Sequence, residues 1–77
     1  MENTFFTVIR QFMKGANETH SMEVFTDRQA ALQRYFNIIA ADLANAEITY
    51  QATYVIDKSG LMIEGRVFDR AAVETGE

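Results

Sequence analysis

The segment Glu47-Ile48-Thr49-Tyr50-Gln51-Ala52-Thr53-Tyr54-Val55-Ile56-Asp57-Lys58-Ser59-Gly60-Leu61 decides the fold. Ile48, Tyr50, Ala52, Tyr54 and Ile56 alternate with Glu47, Thr49, Gln51, Thr53, Val55 and Asp57, a period of two that marks a strand buried on one face. Asp57 to Gly60 is turn chemistry, with Gly60 able to take a positive φ, and residues 61–68 read as the returning strand of a hairpin. Pairing Ile56 with Leu61 sets Tyr54 opposite Ile63, Ala52 opposite Gly65 and Tyr50 opposite Val67, all on the face expected to be core. The other face then pairs Val55 with Met62, Thr53 with Glu64, Gln51 with Arg66 and Thr49 with Phe68. Ala52 against Gly65 leaves a dip that Phe36 could fill.

Upstream, Thr26 reads as an N-cap with Gln29 completing a capping box, and Asp27 suits the positive end of a helix dipole. Leu32, Phe36, Ile39 and Leu43 follow at spacings of four, three and four, predicting an amphipathic helix over 27–45 with these side chains as its buried stripe. Tyr35 and Ala40 flank that stripe, Ile38 lies off it, and Asn45 is expected to end the helix in the left-handed region. Phe5 to Met13 is strand-like but apolar on both alternating sets, as befits a central strand or one covered on its second face by a partner. Gly15 to Glu18 reads as a turn and Ser21 to Phe25 as a short returning strand.

The predicted fold class is α+β: two β-hairpins joined by one amphipathic helix (ββαββ), an antiparallel sheet with the helix on one face. Residues 1–70 are expected to form a single domain and residues 71–77 a frayed acidic tail. A chain of 77 residues has a small core, and with no cysteine and one histidine it lacks both a disulfide framework and a zinc ligand set, so self-association is the remaining route to added stability. The apolar fraction of 48 % is that of a folding chain. There is no apolar run of membrane-spanning length and no signal-peptide pattern, so a cytoplasmic location without a membrane partner is expected. The net charge of −4 is opposite in sign to a phosphate-binding surface and argues against nucleic acid as a partner.

No catalytic, metal or cofactor residues are assigned. His20 beside Thr19 and Ser21 reads as turn and strand-start composition, and Glu47, Asp57, Glu64 and Asp69 as turn or solvated sheet positions. The four glycines are isolated and form no phosphate loop. The surface singled out is the outer face of the second hairpin, Gln51, Val55, Met62, Glu64, Arg66 and Phe68, which mixes apolar and hydrogen-bonding groups as interfaces do.

The aromatic opening strand, the helix from Ala30-Ala31-Leu32 to Tyr35-Phe36 and the closing hairpin with Asp57 to Gly60 resemble, in layout across most of the chain, short uncharacterised proteins of prophages and mobile elements. That resemblance implies no activity and no site residues. A β-α-β-β reading would instead look like dodecin, a small flavin-binding oligomer, but the tryptophan on which that family stacks its flavin is missing here. The expected function is a non-enzymatic interaction or accessory protein acting as a homo-oligomer. The alternatives are an oligomer binding a flavin- or nucleotide-like ligand in a pocket of Tyr35, Tyr50 and Tyr54, and a modulator that binds a host protein.

Overall fold

The computed structural model describes residues 4–69. Five elements follow in order: β1 (Phe6–Lys14), β2 (Asn17–Phe25), α1 (Arg28–Ala44), β3 (Ile48–Asp57) and β4 (Met62–Asp69). The four strands make one antiparallel sheet in the order β2-β1-β3-β4, and α1 packs on one face of it. This is the ββαββ α+β fold expected from the sequence, with β1 central. The tail at 71–77 lies outside the described residues.

The first turn is tighter than expected. Gly15 and Ala16 alone connect β1 to β2, with φ of 62° at Gly15 and no positive φ at Ala16, the pattern of a type II′ hairpin. That twist suits flanking strands, so β2 starts at Asn17 rather than Ser21 and pairs with β1 without a break from Lys14↔Asn17 to Phe6↔Phe25. Asp27, not Thr26, caps the helix, and its carboxylate accepts from the Ala30 N–H at 3.1 Å. Asn45 ends the helix in extended rather than left-handed backbone, at φ −98°. Its side-chain oxygen accepts from the Glu47 N–H at 3.0 Å, an Asx turn that directs the chain into β3 within three residues.

The helix is rotated relative to the expected stripe. Ala31, Tyr35, Ile38, Ile39 and Asp42 are buried and Leu32 is partly buried, whereas Phe36 and Leu43 are 57 % and 49 % exposed. Correspondingly, α1 covers the opposite face of β3 from the one the alternation suggested. The register Val8↔Val55, Arg10↔Thr53 and Phe12↔Gln51 puts the even residues of β1 on the same side as the odd residues of β3. Phe6, Val8 and Val55 join Ala31, Tyr35, Ile38 and Ile39 in the core, and Gln51 and Thr53 are buried beside them. Burial of each such aliphatic side chain contributes about 1.5–3 kcal/mol.

A polar pair makes this packing possible. Asp42 enters the buried side of α1 with its side chain 2 % exposed, and the Arg10 guanidinium meets both of its oxygens, Nε to Oδ2 at 3.0 Å and Nη2 to Oδ1 at 2.5 Å. The same guanidinium lies 4.0 Å from the centroid of the Phe12 ring. Beneath the helix the Gln51 amide donates to the Thr53 hydroxyl, and Gln51 Oε1 has no hydrogen-bond partner among the described residues.

The second hairpin is shifted by two residues from the expected register, in two separate steps. The turn closes between Asp57 and Leu61, whose carbonyl accepts from the Asp57 N–H at 3.0 Å, so Lys58, Ser59 and Gly60 form a three-residue loop with Gly60 at φ 90°. Ile56 therefore pairs with Met62, leaving Leu61 exposed. A bulge between Val55 and Ile56 adds the second step, giving Val55↔Glu64, Tyr54↔Gly65, Ala52↔Val67 and Tyr50↔Asp69. Ile63 is the extra residue and packs against the helix-side core. A second irregularity, between Met13 and Lys14, leaves Thr49 unpaired in the ladder and brings Ile48 opposite Lys14, on the helix side.

Candidate functional site: the open face of the sheet

The strand registers assign every side chain of the sheet to a face, because partners in an antiparallel pair project to the same side. Opposite the helix lie Ile9 of β1, Met22 and Val24 of β2, Tyr50, Tyr54 and Ile56 of β3, and Met62 and Val67 of β4. Met22 and Val24 are 67 % and 63 % exposed, and Met62 and Val67 are also more than half exposed. Ala52 is buried on this side as a short residue in the row between Tyr50 and Tyr54. No described element covers the face.

Gly65 determines how β3 and β4 fit together there. A Cβ at this position would lie 2.8 Å from both Tyr54 Cδ1 and Met62 Sδ, so the Tyr54 ring and the Met62 thioether occupy the space a side chain would need. The dip assigned to Phe36 is therefore filled from the open face by β3 and β4 themselves, while Phe36 sits edge-on to Tyr35, ring centroids 5.0 Å apart.

One end of the face is polar. His20 Nδ1 lies 3.1 Å from Glu18 Oε2, and Gln11 Nε2 donates to the same oxygen at 3.2 Å. Thr19 and Ser21 alternate to the other side of β2, so neither hydroxyl is presented to the imidazole. At the far end the Asp57 carboxylate closes its loop by accepting from the Ser59 hydroxyl at 2.7 Å, the Ser59 N–H at 2.9 Å and the Leu61 N–H at 3.0 Å. The Ser59 hydroxyl first, then these backbone donors, hold the carboxyl below its ordinary pKa of 3.8. Among the described residues no group of three or more His, Asp or Glu could hold a metal ion.

The six residues singled out from the sequence do not share one surface. Gln51 and Val55 are fully buried under the helix, and Met62 belongs to the open face. Glu64, Arg66 and Phe68 lie on the helix side of β4, opposite Val55, Thr53 and Gln51. The Tyr35 phenol has its pKa raised first by burial and then by the Glu64 charge, with Arg66 opposing. Tyr35 is thus separated by the sheet from Tyr50 and Tyr54, and the three do not line one pocket. The surface that sequence reasoning missed is the apolar set it had placed in the core. Its signal was present in the apolar content of both sets in Phe5 to Met13. No helix among the described residues is long and apolar enough to cross a membrane. No family model, no curated protein and no solved structure matches the chain.

Proposed function

We propose that this chain is a non-enzymatic interaction protein that works as a homo-oligomer in the cytoplasm, with the open sheet face as its working surface. The observation that carries the reading is the uncovered row of Met22, Val24, Ile9, Tyr54, Met62 and Val67 across all four strands. Four strands about 4.8 Å apart and about 27 Å long present roughly 500 Å² in projection. The apolar part of that area, without the polar end of Glu18, His20 and Gln11, falls within the size range of the largest apolar patches on monomers, the class associated with binding. The side chains are suited to such a surface, since Met adapts its shape to a partner and Tyr offers an apolar ring with a polar rim.

Sedimentation velocity at micromolar concentration tests the proposal. The expected species is larger than the 8.8 kDa protomer. A wild-type protein that sediments as monomer throughout that range would overturn the reading.

A further inference from the structure

We infer that the outer edge of β2 is a docking edge for β2 of a second copy, joining two four-stranded sheets into one of eight strands. This rests on the homo-oligomer reading above and names the contact through which two copies meet.

The first hairpin fixes which backbone groups face outward. A two-residue type II′ loop makes Lys14 and Asn17 a mutually hydrogen-bonded pair, so Asn17, Thr19, Ser21, Glu23 and Phe25 direct their backbone groups toward β1. The N–H and C=O groups of Glu18, His20, Met22 and Val24 therefore point away from the sheet. Among the described residues nothing pairs with them, since β2 is the outermost strand.

Exposed edges are usually protected by a proline, a lysine, a bulge or a short strand. β2 has none of these. It runs nine residues, about 30 Å, in unbroken register with β1, and contains neither proline nor lysine. The other edge, β4, is interrupted by the bulge near Met62 and carries Glu64 and Arg66; β2 also carries carboxylates, but Glu18 is engaged by His20 and Gln11, and Glu23 by Arg34.

The β2 sequence also fits itself. In an antiparallel pairing about a two-fold axis at Ser21, Glu18 lies opposite Val24 of the second copy, His20 opposite Met22, Thr19 opposite Glu23 and Asn17 opposite Phe25. No carboxylate faces another. The four outward residues of each copy come into hydrogen-bonded register, so four donors and four acceptors per chain combine into eight bonds with none left over. A two-fold axis perpendicular to the sheet keeps both helices on one side and merges the two open faces into a single surface on the other.

Amide exchange on the wild-type protein tests the pairing without mutation. Between micromolar and millimolar concentration, the amides of Glu18, His20, Met22 and Val24 should gain at least about tenfold protection, while exposed loop amides such as Lys58 do not change. His20→Pro removes an outward N–H and spares the β1 ladder, so it should yield a folded monomer by sedimentation. Val67→Asp, distant on β4, should leave these four amides protected at millimolar concentration. If wild type dimerises while the four amides exchange independently of concentration, or His20→Pro remains dimeric, the edge pairing is wrong and contact through the open face stands. A wild type that is monomeric at every concentration removes both proposals. Should His20→Pro unfold, the exchange measurement decides alone.

Discussion

Replacing Asp42 by alanine should be among the most damaging single changes in this protein, although the residue is a charge on a helix. Its carboxylate is buried and takes two hydrogen bonds from Arg10, whose side chain is 26 % exposed. Removing one partner of a buried ion pair costs about 3–5 kcal/mol when the other charge is left dry. Here water can reach part of the guanidinium, and the Phe12 ring still faces it, so the lower figure of about 2–3 kcal/mol applies. A chain of 77 residues has a total stability of roughly 4–12 kcal/mol, so the loss is a large fraction of it. With a urea m-value of about 1 kcal/mol/M, the unfolding midpoint should fall by about 2–3 M. The decisive assay is a double-mutant cycle of Asp42→Ala, Arg10→Met and the double variant. The double should be less damaged than the sum of the singles by about 2 kcal/mol, because removing both charges leaves no orphan. Additivity within about 0.5 kcal/mol would refute the account of how a polar residue came to occupy the core side of α1.

Two further substitutions have defined outcomes. Gly65→Ala should lower stability by about 1–3 kcal/mol, because the new Cβ must displace the Tyr54 ring as well as the more compliant Met62, and Met62→Ala should recover only part of the loss in urea titrations. Asp57 has a folded pKa below its unfolded value, so its contribution is fully present above about pH 4 and is lost as pH falls through the folded value. Comparing wild type with Asp57→Asn at about pH 7 and about pH 2.5, the gap in unfolding midpoint should narrow at the lower pH, and a gap that widens would contradict the assigned direction of the shift.

The layout of the fold was legible because it rests on local signals. The Asp27 region starts a helix whichever of two neighbouring residues provides the cap, and Gly15 and Gly60 stand where the backbone must take a positive φ. The candidate surface was not legible, since locating it required knowing which face of each strand α1 covers. In β3, one set holds Tyr50, Ala52, Tyr54 and Ile56 and the other holds Gln51, Thr53 and Val55. Hydrophobicity alone favours burying the first set. What reverses the choice is the pairing of β1 with β3, which ties Gln51, Thr53 and Val55 to the strongly apolar Phe6, Val8 and Phe12. On local grounds Asp42 disqualifies its face of the helix from the core, and only Arg10, distant in sequence, makes that burial tolerable.

By itself, then, the sequence determined one helix between two hairpins and the turns that close them, because capping, turn chemistry and periodicity act over a few residues. Only the tertiary structure decided which side is core and which is left open. A strand's two faces differ by a shift of one residue, and that choice is made by long-range register and by one ion pair, neither of which leaves a local mark.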